Sequence, residues 1–241
     1  MTRRLMCLMS ALVAVATLAG KANAVPPFAE DFSAGSAGWR FNTANTPPLV
    51  GVGSGGPDGG AFVRNNLASL AGSPQSPNTI LLFRAHKTYA GVDLGYTGDW
   101  ITAGVKQVSA FVRHDVPQPL EFVARFAGEA NFPGAFYATT APVPGGAWTP
   151  ITFNVTPASP QNVTYEGGTH QQVFQNFDNS GIANMQFGVT IPAGLSGTGP
   201  YVFDFDKVNV SLTPEPSAAA LAGLGGMAAR FLRRRRGPAS A

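Results

Sequence analysis

The chain has one cysteine in 241 residues, Cys7, near its start. A disulfide framework and a thiolate nucleophile are therefore excluded for the rest of the molecule, whose stability must come from burial. Charge is sparse too, at 12% of residues, and there are three histidines. His86, His114 and His170 lack the close spacing of a metal-binding set. His114 shares the alternation phase of Val108, Ala110 and Val112, which reads as a core position. The sequence has no Gly-x-Ser-x-Gly elbow, no His-Glu-x-x-His helix and no phosphate loop with a lysine; Gly53-Ser54-Gly55-Gly56 is turn material. Glu121, Glu129 and Glu166 do not by their spacing define the carboxylate pair that a glycosidase needs. The expectation is a protein that is not an enzyme.

Basic residues are concentrated at the ends. Arg3, Arg4 and Lys21 lie in residues 1–24, and residues 213–241 carry five arginines against Glu215. Between them, residues 25–212 hold eight Lys/Arg and twelve Asp/Glu, so the middle of the chain is mildly acidic although the whole has a net charge of +3. No stripe of cations remains to neutralise phosphates, and nucleic acid is excluded as a partner.

The two ends read as addresses. Arg3 and Arg4 precede an apolar run over 5–19, and Ala22-Asn23-Ala24 closes it with small residues at Ala22 and Ala24, the pattern a signal peptidase accepts. A signal helix over 1–24, removed to leave Val25 first, is expected; a retained membrane helix is the alternative. At the other end Pro214-Glu215-Pro216-Ser217 is followed by an apolar run over 218–232 and by Arg233-Arg234-Arg235-Arg236. Prolines on both sides of Glu215 stop any preceding strand and leave it open to a protease. The run is short for a lasting span, which takes roughly 20 apolar residues, and it contains Gly223, Gly225 and Gly226. Arg230 can snorkel towards the arginine cluster, and four arginines hold that end on the cytoplasmic side. A solvated Ala/Gly tail with a basic end is the alternative.

These last 29 residues, in that order of motif, short apolar helix and arginine cluster, resemble the PEP-CTERM sorting signal of Gram-negative bacteria. The resemblance implies cleavage by an exosortase at Pro214–Ser217, a transient stay in the inner membrane, and delivery to the cell surface or extracellular matrix, often alongside exopolysaccharide.

Residues 25–212 are expected to form one all-β sandwich, since Gly (29 in the chain) and Pro (20) punctuate short apolar runs about every ten residues. Leu120, Phe122, Ala124 and Phe126 fall on one face with Glu121 and Arg125 on the other; residues 151–155 and 185–191 alternate as cleanly. Further strands are expected at 61–64, 80–85, 107–114, 136–139 and 201–212, and a short helix at 170–177. Residues 45–60, 67–78, 141–146 and 157–169 read as long polar loops.

Phe28-Ala29-Glu30-Asp31-Phe32 with Gly38-Trp39, together with Phe203-Asp204-Phe205-Asp206 and the residues after it, resemble the first and last strands of carbohydrate-binding-module-like and laminin-B-like jelly rolls. Gly98-Asp99-Trp100 followed by 105–112 adds to the likeness. The resemblance implies terminal strands lying side by side. Asp204 and Asp206 share the phase of Val202, Val208 and Val210, so two inward aspartates need partners; a structural Ca²⁺ held with Glu30 or Asp31 would supply them. The alternative is a bulge near Asp206 that turns Phe203 and Phe205 inward and both aspartates into water. Trp39, Trp100, Trp148, Tyr96 and Tyr137 are the candidates for stacking sugar rings, with Trp100 the most exposed by its position after a polar turn, although a core role is open for each. The functional expectation is an exported, exosortase-sorted structural or interaction module. The alternatives are a lectin-like module that binds a glycan with or without calcium, and a polysaccharide hydrolase or lyase.

Overall fold

The computed structural model describes residues 27–41, 46–72, 77–175 and 181–212. The expected signal segment, the sorting segment with Pro214–Ser217 and Arg233–Arg236, and the end of the expected helix over 170–177 lie outside these residues. Among the described residues no helix is long and apolar enough to cross a membrane.

The described residues form eleven strands in two antiparallel sheets. One sheet has the order β2 (Val50–Val52), β3 (Phe62–Leu67), β11 (Tyr201–Leu212), β5 (Val105–His114), β8 (Thr149–Asn154). The short β1 (Phe28–Glu30) pairs with the second half of β11, where β3 has ended. The first and last strands therefore do lie side by side. The other sheet has the order β4 (Thr79–His86), β10 (Asn184–Thr190), β6 (Phe122–Ala127), β7 (Gly134–Ala138), β9 (Val163–Glu166). The sheets pack as a sandwich over one apolar core, with Phe205 of one sheet stacked on Phe83 and against Phe187 of the other at ring distances of 4.6 and 4.8 Å. Removing one such buried ring would cost about 3–5 kcal/mol, because the wall around it cannot fully collapse.

The alternating runs place their residues as the period of two requires. Leu120, Phe122, Ala124 and Phe126 are buried in the core, as are Met185, Phe187 and Val189 and, in β8, Ile151 and Phe153. β2 and β9 fall in stretches expected to be loops; three or four residues bounded by Gly and Pro leave no period to read. Helix α2 (His170–Phe174) starts where Thr169 and Gln172 form a reciprocal capping box, and buries Val173 and Phe174.

Strand β11 carries the bulge held open above. Its pairing with β5 runs from Asp206 opposite Phe111 to Asn209 opposite Ser109, so one extra residue sits on β11, and Lys207 takes a positive φ of 49°. Phe203 and Phe205 point into the core before the bulge, Val208 and Val210 after it. Both aspartates are thereby turned to the outer face of the sheet, but not into water: each is covered there.

Candidate functional site

The outer face of the β4-β10-β6-β7-β9 sheet is built in rows that run across the strands. The register aligns Arg84, Gln186, Arg125, Phe136 and Thr164 in one row, and Leu81, Gly188, Val123 and Ala138 in the next. Thr79, Thr190 and Glu121 follow, with the Thr190 hydroxyl donating to Glu121 Oε1 at 2.7 Å. Beyond Leu81, the small residues Gly188, Val123 and Ala138 lie between the two other rows and make a trough. It contains a cavity of about 300 Å³ whose walls include Phe136, Glu121, Thr190, Thr164 and Asn162, over a floor of Val123 and Ala138.

One wall of the trough is fixed from above by the loop between β6 and β7. Asn131, in the left-handed conformation at φ 64°, turns its side chain onto the sheet, and its Oδ1 accepts from Arg125 Nη1 at 2.7 Å, from Arg84 Nη2 at 3.4 Å and from Asn184 Nδ2. Arg125 is only 5% exposed; its Nε donates to Glu166 Oε2 at 2.7 Å, Nη1 to Gln186 Oε1 at 3.0 Å, and Nη2 to the Asn131 carbonyl at 2.6 Å. The guanidinium also lies 5.5 Å from the Phe136 ring centre. Such a fully bonded arginine cannot swing away, so the wall is rigid. Beside it Phe132 is 56% exposed, with its ring over Gly167, where a Cβ would come within 2.0 Å of the ring.

The opposite face of the sandwich carries the two aspartates. Asp204, 3% exposed, receives Arg64 Nε on Oδ1 at 2.7 Å and Arg113 Nη2 on Oδ2 at 2.7 Å. Asp206, 1% exposed, accepts the Lys207 amide at Oδ1, while Oδ2 has no hydrogen-bond partner among the described residues. A methyl built on Gly56 would lie 2.8 Å from that oxygen and 3.0 Å from the carbonyls of Gly60 and Ala61. Burial, with the nearby Asp58 and Asp31 charges adding to it, pushes the Asp206 pKa up to about 6.

The candidates for calcium, Asp204 or Asp206 with Glu30 or Asp31, are not gathered into one set. Asp204 is neutralised by guanidinium groups. Glu30 Oε1 accepts the Phe32 amide and Asp31 Oδ1 the Ser33 amide, each closing its own turn. The ammonium of Lys207 lies near Asp31 and Asp206 and pairs with Asp58 at 2.7 Å. Among the described residues no group of three or more His, Cys, Asp or Glu side chains is placed to hold a metal.

Trp100 is not a surface platform. Asp99 caps a single helical turn, α1 (Trp100–Ala103), which Gly104 ends in the left-handed conformation. That turn drives the indole into the core, 1% exposed, against Phe126 and Phe174, with Nε1 donating to the Tyr96 carbonyl at 2.7 Å. Trp39, Tyr96 and Tyr137 are buried as well, and Trp148 alone of the five keeps partial exposure. His114 is a core residue, 2% exposed, bonded through Nε2 to the Val143 carbonyl, with its pKa lowered by burial. Phe136, Asn131 and the arginines carry the outer faces instead; the signal for Arg125 was its place opposite Phe122, Ala124 and Phe126.

No family model and no curated protein matches the chain. Among solved structures it is similar to the CBM22-1–GH10 modules of the Clostridium thermocellum endo-1,4-β-D-xylanase 10B complexed with xylohexaose, at 16% identity and TM-score 0.43, covering 77% of this chain and 28% of that one. An exo-β-agarase matches at 9% identity and TM-score 0.47, over 77% of this chain and 25% of that one. The Crh5 transglycosylase matches at 11% identity and TM-score 0.38, over 78% and 84%. The chain thus spans little more than a quarter of the first two proteins, and none of these likenesses carries a ligand or a reaction to it.

Proposed function

We propose that the sandwich is the saccharide-binding module of an exported protein, sorted through its C-terminal segment to the cell surface or extracellular matrix, and that a linear sugar chain lies along the trough. The observation that carries this reading is the trough itself, a row of small residues crossing β10, β6 and β7 with an aromatic and hydrogen-bonding wall. Phe136 offers an apolar face for a sugar ring, held in place by the pinned Arg125, and Glu121, Thr190, Thr164 and Asn162 offer bonding groups to hydroxyls. Glu121 is the single carboxylate among the residues around the cavity. Hydrolysis of a glycosidic bond takes a facing pair, so the arrangement favours holding a chain over cutting it.

Titration of the purified chain with a panel of neutral linear oligosaccharides tests the reading. Saturable binding to at least one is expected, weakened about fivefold or more by Phe136→Ala, since covering the ring's apolar face contributes about 1–3 kcal/mol. Binding that is untouched by Phe136→Ala and Glu121→Gln would place the ligand elsewhere.

A further inference from the structure

We propose a second, separate ligand site on the opposite face of the sandwich, a cleft between Arg64 and Arg113 that takes the carboxylate of an acidic sugar, so that the domain can bridge two polysaccharide chains. The cleft stands without the trough, whereas the bridging rests on the trough's proposed role. Register sets the cleft's donors: Asp204 in β11 stands opposite Arg64 in β3 and opposite Arg113 in β5. Both guanidiniums fork onto that one carboxylate, Arg64 through Nε and Nη2 at 2.7 and 3.0 Å, Arg113 through the same atoms at 2.9 and 2.7 Å. Two positive charges share one negative charge, and neither Nη1 takes part. Asp115, exposed on the same cleft, balances the second guanidinium, so the cleft offers oriented donors without a net positive charge.

Stacking fixes those donors further. The Arg113 guanidinium lies 4.6 Å from the Trp148 ring centre and 5.3 Å from that of Phe62, and Arg64 lies 5.4 Å from Phe62. Trp148 is in turn tied by Nε1 to the Gly55 carbonyl at 2.9 Å. The arginine side chains remain 34% and 28% exposed, so these are held groups with an open side. They border a cleft of about 350 Å³ that reaches Asp115, Gly146 and Val202. That volume is within the range of small-molecule sites, roughly 300–1,000 Å³.

Asp115 decides the class of ligand. Its Oδ1 accepts the Val202 amide at 2.8 Å, and its charge is exposed on the cleft. A bare anion between the arginines would be repelled by it. A uronic acid presents a carboxylate on one side of its ring and hydroxyls on the other, which suits arginine donors at one end and a carboxylate acceptor at the other. Because the outer faces of a two-layer sandwich point in opposite directions, occupancy of this cleft leaves the trough free for another chain.

Affinity electrophoresis of the full chain in gels containing polygalacturonate, against gels with a neutral polymer, reads the site. The chain should be retarded by polygalacturonate, with apparent affinity falling about tenfold in Arg64→Gln and falling steeply with added salt. Phe136→Ala should leave this retardation in place, which separates the cleft from the trough. Asp115→Asn keeps the acceptor for Val202 and removes the carboxylate oxygen that would receive the ligand's hydroxyls, so it should weaken retardation by polygalacturonate about threefold without disturbing the fold. Equal mobility of the parent chain in both gels, or an Asp115→Asn variant retarded as strongly as the parent or more strongly, would overturn the proposal.

Discussion

Gly188 meets the carbonyl of Ile80 so closely that a Cβ at position 188 would stand 2.1 Å from the Ile80 oxygen. The contact arises where the β4–β10 register slips between Phe187 and Gly188, a bulge that brings the β4 backbone across the β10 residue. It also sets the floor of the trough, since Gly188 lies in the row with Val123 and Ala138. Backbone oxygen cannot yield as a side-chain tip can. Gly188→Ala should therefore destabilise the chain by about 2–3 kcal/mol, measured by urea unfolding, and a cost near zero would mean the bulge relaxes.

Asn131 holds a roof over three donors with one side-chain oxygen. Replacing it by glycine keeps its left-handed backbone accessible and removes only the amide, so backbone strain and hydrogen bonding are separated. The buried donors Arg125 and Asn184 then lose an acceptor at the edge of the sheet, where water can partly replace it, at a cost of about 1 kcal/mol. The expected result for Asn131→Gly is a lower melting temperature together with faster proteolytic cleavage within 128–133. An unchanged digestion pattern would show that Lys87, paired with Glu129, suffices to hold the loop.

The proposed sorting route places its chemistry on Glu215. In cells that export the protein, Glu215→Ala should leave a membrane-associated precursor that keeps its arginine cluster, read by fractionation and mass spectrometry of the C-terminus. A variant released and trimmed like the parent would remove the exosortase from the account, with the sandwich unaffected.

How far the fold was legible depended on the distance over which residues act. Alternation within a strand is local, and it placed β6, β8 and β10 and their inward residues, including the outward turn of Arg125. The broken phase of β11 was visible too, because Phe203 and Phe205 compete with Val208 and Val210 for the same face, but what covers the outward aspartates was not. Asp204 meets Arg64 across 140 residues and Arg113 across 91, pairings that only the strand order creates. The trough is hidden for the same reason: Gly188, Val123 and Ala138 become one row only when β10, β6 and β7 lie in that order. Trp100 was misplaced by weighing Gly98-Asp99 as a surface turn, when Asp99 as a cap and Gly104 as a stop already framed one helical turn.

Asp206 gives the protein a pH dependence of unusual sign. Its pKa is raised from 3.8 to about 6 in the folded chain, with burial the largest cause and Asp58 and Asp31 adding to it, while the Lys207 amide and ammonium oppose it. A carboxyl with a higher pKa when folded binds its proton more tightly there than in the unfolded chain. Its contribution to stability is thus complete below about pH 4 and is lost as the pH rises through 6. Protonated, the buried Oδ2 carries no charge; ionised, it has no hydrogen-bond partner among the described residues. Asp206→Asn supplies a neutral group of the same shape and keeps an oxygen for the Lys207 amide. Chemical denaturation should show the variant about 1–2 kcal/mol more stable than the parent at pH 7, with the difference shrinking towards pH 4. Parallel stability curves across that window would mean the Asp206 carboxyl finds a partner that neutralises it at every pH.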